Sequence, residues 1–416
     1  MSASIIRADA RRLPLPDESV DLIVTSPPYW GLRSYTDGGR HYDGQIGAEP
    51  TPGEYVDALI ECTREWMRVL KPEGSLWVNI GDVYYSGKGA PGRTTRDDKS
   101  EARTFRRAGG NPLDGPSFGV GRKSLVGMPW RYALRSIDDL GLILRAEVVW
   151  SKVNGLPESV TDRVRRSHEQ WFHLVKQPLY YSAVDAIREP HKMKPQRRPN
   201  GHKSRQQLGV LPAQTYSTSQ RDEKGVDGHP LGALPGSVWE VATQPLRVPP
   251  GLEVEHFAAF PPALIRRIIL GWSPPGVCTA CGEGRQPAAD RSRTDDRPGR
   301  VQGRMRDALL GGHGKDGRAG NRYRASVSIT GYVCACPEPT APIKPAIVLD
   351  PFGGTGTTAL VADVHGRHGI SVDMSADYCR LAQWRTADRG ERARALGVPK
   401  PPPVPDRQDA LFEEIA

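Results

Sequence analysis

The stretch Ala346 to Asp373, AIVLDPFGGTGTTALVADVHGRHGISVD, decides the fold. Ala346 to Leu349 is a short apolar run that reads as a buried strand ending at Asp350. Phe352-Gly353-Gly354-Thr355-Gly356 then turns tightly into a helix predicted over Thr357 to Val364. A second buried strand, Gly369 to Val372, ends on Asp373, 23 residues after Asp350. Glycine lacks a Cβ and accepts positive φ, so the backbone of such a turn can approach a ligand closely. The helix start adds free N–H groups that attract a carboxylate or a phosphate. An acid at the end of the next strand, at this spacing, can hydrogen-bond ribose hydroxyls. Strand, loop, helix, strand and acid in this order point to a nucleotide-cofactor site. The absence of a Gly-Lys-Ser/Thr ending argues against a P-loop. These residues alone leave the cofactor open between a dinucleotide and S-adenosylmethionine, with a merely structural glycine turn as the alternative.

Far upstream, VDLIVT (Val20 to Thr25) is another buried strand, followed at once by Ser26-Pro27-Pro28-Tyr29-Trp30. Loops at the carboxyl ends of parallel strands are where open α/β sheets bind ligands. Two prolines fix φ and remove two N–H donors, so the Pro27 carbonyl is held as an acceptor, with the Ser26 hydroxyl beside it. Tyr29 and Trp30 supply aromatic faces. Two acceptors and a stacking face suit an exocyclic base amine, whose lone pair is delocalised into the ring until its two hydrogens are gripped. A duplex base must first be flipped out to reach such a site. The competing reading is a proline-stiffened turn over two core aromatics.

The rest of the chain alternates in the same way. A helix is predicted over Thr51 to Leu70, stopped by Lys71-Pro72-Glu73-Gly74, then a strand over Ser75 to Ile80. Gly81 to about Val126 reads as a long mobile loop. A helix from Pro129 to about Leu140 precedes strands at Leu142 to Trp150 and Gln170 to Lys176. A short helix follows at Pro261 to Leu270, and a last one from Ala376 to about Asp388 ends the ordered part. Strands alternating with helices imply an α/β domain with a mostly parallel sheet.

Composition bounds the function classes. Of 416 residues, Gly (45) and Pro (38) make about a fifth, well above average usage, which places long loops around a compact core. The net charge of +9 favours a polyanionic partner. No apolar run approaches a membrane span, and MSASIIRADARRLPLP lacks the apolar core of a signal peptide, so a cytoplasmic protein is expected. Six cysteines are too few for a disulfide framework in a chain of this length.

Together the two loops resemble the amino-methyltransferases of DNA, which make N4-methylcytosine or N6-methyladenine. Their catalytic tetrapeptide is Asp/Asn/Ser-Pro-Pro-aromatic and their cofactor loop Phe-x-Gly-x-Gly, matched by Phe352, Gly354 and Gly356. With the tetrapeptide first and the glycine loop last, the order resembles the circularly permuted β class of restriction–modification and phage enzymes. KPEGSLWVNIGD, MPWRYALRSIDDLGLILRAEVVWSKVN, SHEQWFHLVK and HFAAFPPALIRRII resemble further motifs in order, over about two thirds of the chain. The resemblance implies a seven-stranded, mostly parallel, Rossmann-like methyltransferase sheet using S-adenosylmethionine on double-stranded DNA. It assigns Ser26, Pro27, Pro28 and Tyr29 to the base site. Asp350, Phe352, Gly353, Gly354, Gly356, Thr357 and Asp373 are assigned to the cofactor, with Asp9 at its adenine and Phe260 and Pro261 near its methionine part. Ser at the first tetrapeptide position is typical of the cytosine-N4 members, and Asp or Asn of the adenine members. No Pro-Cys loop accompanies the site, which argues against cytosine C5 chemistry. The class is bacterial or phage-encoded and leaves room for a cognate restriction endonuclease.

The domains expected are a catalytic half over 1–180 with the mobile loop 84–125, a target-recognition region over 181–236 and a closing-helix region over 237–275. A cysteine insertion over 276–338, a cofactor-binding half over 339–392 and a tail over 393–416 complete the chain. In the recognition region Arg197, Arg198, Lys203, Arg205, Gln206, Gln207 and Gln214 could read bases, grip phosphates or simply solvate a loop. The loop residues Arg93, Arg96, Arg103, Arg106 and Arg107 are candidates to close over DNA. Cys278-Thr-Ala-Cys281-Gly and Cys334-Ala-Cys336 have ligand spacing for a small zinc-ribbon-like site in which four cysteines hold structural Zn2+, against free or redox thiols. A DNA-binding module without activity, and a methyltransferase acting on RNA or on a protein glutamine, remain rival classes.

Overall fold

A computed structural model describes residues 3–31, 36–37, 40–41, 44–85, 119–121, 123–155, 157–191, 229, 231–246, 248–252, 259–295, 323–334, 336 and 341–402. The expected arginines of the 84–125 loop, and Arg197 through Gln214, lie outside the described residues.

In chain order the elements are β1 (Ser4–Arg7), β2 (Val20–Thr25), β3 (Thr36–Asp37), β4 (Arg40–His41), α1 (Pro52–Val69) and β5 (Leu70–Ile80). Next come α2 (Met128–Asp138), β6 (Ile143–Ser151), β7 (His168–Val175), β8 (Val238–Glu240) and α3 (Pro262–Trp272). Then follow β9 (Val277–Cys278), β10 (Gln286–Asp295), β11 (Tyr323–Val333), β12 (Ile343–Lys344), β13 (Ile347–Asp350), α4 (Thr357–Val364), β14 (His368–Asp373), α5 (Ala376–Ala387) and α6 (Arg389–Leu396). They fall into two compact units. The larger takes Met1–Ala183, Gly236–Arg285 and Cys334–Ala416; the smaller takes Val184–Pro235 and Gln286–Val333.

The larger unit is built on one sheet in the order β1-β14-β13-β2-β5-β7-β6-β8. The pairs from β1 to β5 are parallel, while β7 runs antiparallel to both β5 and β6. All six residues of β2 and the last three of β13 are buried, as expected for central strands covered on both faces. Register pairs Val348 with Leu22 and Leu349 with Ile23. The loops after Thr25 and Asp350 therefore open at the same end of neighbouring strands. That adjacency positions the site.

Local chemistry sets the helix ends. Thr51 caps α1 in a reciprocal capping box with Glu54, and Pro52 stands at the first position, where a missing N–H costs nothing. α4 starts at Gly356, whose φ of +73° is left-handed. A Cβ there would also sit 2.8 Å from Ala382 Cβ.

Three expectations need correction. The sheet has eight strands rather than seven, because β8 adds an edge parallel to β6. β8 is three residues long and buries only Trp239, too short a run to read as a strand. β5 begins at Leu70, not Ser75; the Lys71–Gly74 stretch is absorbed in a register shift between the Val20/Leu70 and Leu22/Ser75 pairs. Order does not end near Asp388. Asp388 caps α6 by accepting from Glu391 N at 2.8 Å, so the expected tail is helical through Leu396. α6 lacks an apolar stripe; it buries Ala393 and Ala395, and Glu391 pairs with buried Arg385 at 2.8 Å. The cysteine insertion contains a long antiparallel hairpin, β10–β11, in the smaller unit. No described helix is long and apolar enough to cross a membrane.

Candidate active site

A cleft of about 780 Å³ opens at the carboxyl ends of β2 and β13. Ser26, Pro27, Pro28 and Tyr29 line it, and so do Phe352, Gly353 and Gly354. The two loops read separately in the sequence thus face one cavity.

The glycine loop is shaped by what stands behind it. A Cβ on Gly353 would lie 1.8 Å from Ser371 Oγ and 2.9 Å from its Cβ, so any other residue there must displace the Ser371 side chain. Gly353 N donates to Val372 O at 2.8 Å, and Gly354, at φ +49°, donates to Asp373 Oδ2 at 2.9 Å. The other Asp373 oxygen accepts from Ser375 N at 2.8 Å. These N–H bonds fix the carboxylate at the cleft wall. Thr355 and Thr357 are held from below by Arg385, whose Nη1 donates to their hydroxyls at 2.9 and 2.6 Å.

Asp350 also lines the cleft, at the junction of the two loops. It is 1% exposed, and its carboxylate accepts from Thr25 Oγ1 (2.7 Å), Thr358 Oγ1 (2.9 Å) and Phe352 N (3.1 Å). Burial pushes its pKa up to about 6 against the pull of those three donors. Its side chain is a joint between the two loops. Asp9 lines the cleft in an ion pair with Arg11 at 2.7 Å; burial works to raise its pKa, but the Arg11 hydrogen bonds and charge outweigh it and hold the carboxyl low. Phe352 and Phe260 line the cleft, the first packed edge-on against Trp66, the second against Trp171. Thr357 also lines it, whereas Gly356 and Pro261 are not among its lining residues. Gly356 shapes the start of α4, and Pro261 is the residue preceding α3.

On the other wall, Tyr29 packs against Gly81, where a Cβ would fall 2.3 Å from the ring. Its hydroxyl lies 2.7 Å from Asn79 Oδ1 and 2.8 Å from Glu169 Oε2. Lys152 pairs with the other oxygen of Glu169. Asn79 donates from Nδ2 to Gln170 O at 3.1 Å, which aims its Oδ1 at the loop. Ser26 Oγ donates to that oxygen at 3.2 Å, so its lone pairs stay available as acceptors. Among the described residues nothing donates to the Pro27 carbonyl, while Pro28 O accepts from Tyr55 Oη at 2.9 Å. Trp30 is not a cleft aromatic: it is 2% exposed in the core, with its indole N–H on Glu49 O at 2.8 Å.

Asn79, Gly81, Lys152 and Glu169 were not singled out in the sequence. An Asn inside the apolar run SLWVNI, buried to 1% exposure, was the one visible signal.

Cys278, Cys281, Cys334 and Cys336 come together, with sulfur atoms all within 4.8 Å of one another.

Known proteins resemble this chain along most of its length. Residues 20–279 and 342–384 match the family described as DNA methylase, of the N6- and N4-methylating kind. The Type II methyltransferase M.SmaI of Serratia marcescens is 38% identical over 93% of this chain and 92% of its own length. The Type II methyltransferase M.Cfr9I of Citrobacter freundii is 37% identical over 63% of this chain and 69% of its own. Among solved structures, a PvuII DNA methyltransferase (cytosine-N4-specific) aligns over 96% of this chain and 94% of its own at 16% identity, with a TM-score of 0.49.

Proposed function

This chain belongs to the DNA methylase family, as an amino-methyltransferase of the restriction–modification type, and from that premise we propose that it methylates cytosine N4 in double-stranded DNA. The observation that carries the reading is the Ser26–Asn79 bond in the cleft shared with the glycine loop.

The cofactor, S-adenosylmethionine, supplies an activated methyl sulfonium, so the reaction needs alignment more than chemistry from the protein. The cleft fits it. Asp373 would meet the ribose hydroxyls and Asp9, on the same cleft, the adenine, and the Gly353–Gly354 turn admits close approach of the backbone. Phe352 and Phe260 provide apolar walls.

The base amine is held by two acceptors, Ser26 Oγ and the Pro27 carbonyl. Asn79 keeps the serine hydrogen turned away, so the oxygen faces the amine as an acceptor only. With both amine hydrogens gripped, nitrogen becomes pyramidal and its lone pair projects. Tyr29 stacks on the flipped base, its ring seated on Gly81 and its hydroxyl tethered through Asn79 and Glu169. A serine hydroxyl reaches less far than a carboxylate or carboxamide, and this favours cytosine over adenine. DNA is the partner that this activity implies, and the restriction–modification type leaves room for a cognate endonuclease.

Mass spectrometry of nucleosides from DNA incubated with the protein and S-adenosylmethionine is the test. A 4-methylcytosine peak is expected. Exclusive 6-methyladenine would transfer the assignment to the adenine branch, and no methylated nucleoside on any duplex would remove it.

A further inference from the structure

The four clustered cysteines serve nothing in the methyl-transfer site: none lines the cleft, and all four belong to the larger unit. We propose that Cys278, Cys281, Cys334 and Cys336 bind one structural zinc ion, which closes the root of the Gln286–Val333 excursion.

The first pair sits on a turn built for ligation. Cys278 ends β9, which pairs with β12 through Ile343. The chain then folds back so that Gly282 N donates to Cys278 O at 2.9 Å and Cys278 N to Glu283 O at 2.9 Å. Gly282 sits at φ +76°, a conformation that L side chains rarely adopt. This fold-back brings Cys278 and Cys281 onto one side of the turn. Neighbouring bonds brace it: Thr279 N donates to Pro342 O at 3.0 Å, Arg285 N to Gly276 O at 3.0 Å, and Arg285 Nη2 to Ala341 O at 2.7 Å. A Cβ on Gly276 would meet Ile343 Cδ1 at 2.7 Å, so β9 and β12 press together there.

The second pair arrives from the far end of the excursion. The hairpin register joins Gln286 to Val333, and the residue after the returning strand is Cys334. Two short segments, separated in sequence by residues 282–333, therefore present four sulfurs within 4.8 Å of one another. Tetrahedral Zn–S bonds of about 2.3 Å place sulfurs about 3.8 Å apart, a small contraction of what is seen. All four thiols are free rather than joined as disulfides. Four protein ligands leave no open position for water, so the site is structural and not catalytic. The soft sulfur set selects zinc over magnesium or calcium. Closing so long an excursion at its root restricts the unfolded chain most strongly. The family match stops at residue 279 and resumes at 342, so the span carrying three of the four ligands is an addition to the common core.

Full-length protein purified without chelator should carry one zinc per chain by elemental analysis. An organomercurial should release that zinc as four of the six thiols react. Cobalt replacement should give the intense thiolate charge-transfer and d–d bands of a tetrahedral tetrathiolate centre. Cys281→Ser, at the exposed ligand, should lose the zinc while the methyl donor still binds. If that variant does not fold, the cobalt spectrum of the unaltered protein decides. Unaltered protein that holds no zinc, gives no such cobalt spectrum, and whose four thiols react freely overturns the proposal. None of these readouts depends on methyl transfer, so this inference and the proposed activity fail separately.

Discussion

Thr25 Oγ1 donates to Asp350 Oδ1 at 2.7 Å, joining the last residue of one strand to the last residue of its neighbour across 325 positions of sequence. The bond stands directly before Ser26 on one side and before the glycine loop on the other. Thr358 Oγ1 and Phe352 N complete the set of donors to the same carboxylate. Replacing Thr25 by Val keeps the volume and removes one donor from a buried carboxylate. A loss of about 1–3 kcal/mol is expected in urea denaturation, because a buried acceptor loses a partner. Unchanged stability would show that the joint does not hold the two loops.

Asp350 also gives stability a pH signature. Its carboxyl keeps a proton up to about 6 in the folded chain and titrates at 3.8 when exposed. Between those values the folded chain binds more protons than the unfolded chain, so this group's contribution to stability declines as pH rises through the window and levels off above it. Urea midpoints of the unaltered protein and Asp350→Asn, from about pH 4 to about pH 7, should show the advantage of the unaltered protein shrinking as pH rises. A widening gap contradicts the sign.

Ser26→Ala removes one amine acceptor without touching the cofactor wall. Turnover should fall about a hundredfold, roughly 3 kcal/mol of transition-state stabilisation, with the dissociation constant for S-adenosylmethionine nearly unchanged. Asn79→Leu leaves Ser26 in place but frees its hydrogen to rotate toward the base, so it should lower kcat in the same direction by a smaller factor. Equal losses of turnover and cofactor affinity in Ser26→Ala would remove it from the base site.

Tyr29 separates stacking from tethering. Tyr29→Phe keeps the face on Gly81 and loses the bonds to Asn79 and Glu169. Tyr29→Ala loses the face as well, and a base–aromatic stack is worth about 1–3 kcal/mol. DNA binding measured with a cofactor analogue should weaken more for Ala than for Phe; the reverse order would place the base elsewhere.

Gly353→Ala should abolish binding of S-adenosylmethionine in calorimetry, since the new methyl lands on Ser371 Oγ. Adding Ser371→Gly removes that obstacle and should restore part of the affinity. Absence of any rescue would mean that the clash does not explain the glycine.

The strands and helices that flank the two loops were legible because each carries a strong local signal. β2 and β13 are mostly apolar runs, α1 has a capping box and a proline start, and α4 follows a glycine turn. What escaped is what has no local signal. β8 is three residues held by its neighbour β6, α6 is a polar helix fixed by the Arg385–Glu391 pair, and Trp30 looks like a ligand aromatic until its burial is known.

The sequence by itself determined the alternation of strands and helices, the glycine turn, the rigid Pro-Pro loop and the spacing of the cysteines, because all of these are properties of short stretches of covalent chain. The tertiary structure alone decided that the two loops share one cleft, that Asp350 acts as a joint, and that Asn79 and Glu169 orient Ser26 and Tyr29. Those relations link residues tens to hundreds of positions apart. Strand order and side-chain register create them, and neither is written in any local segment.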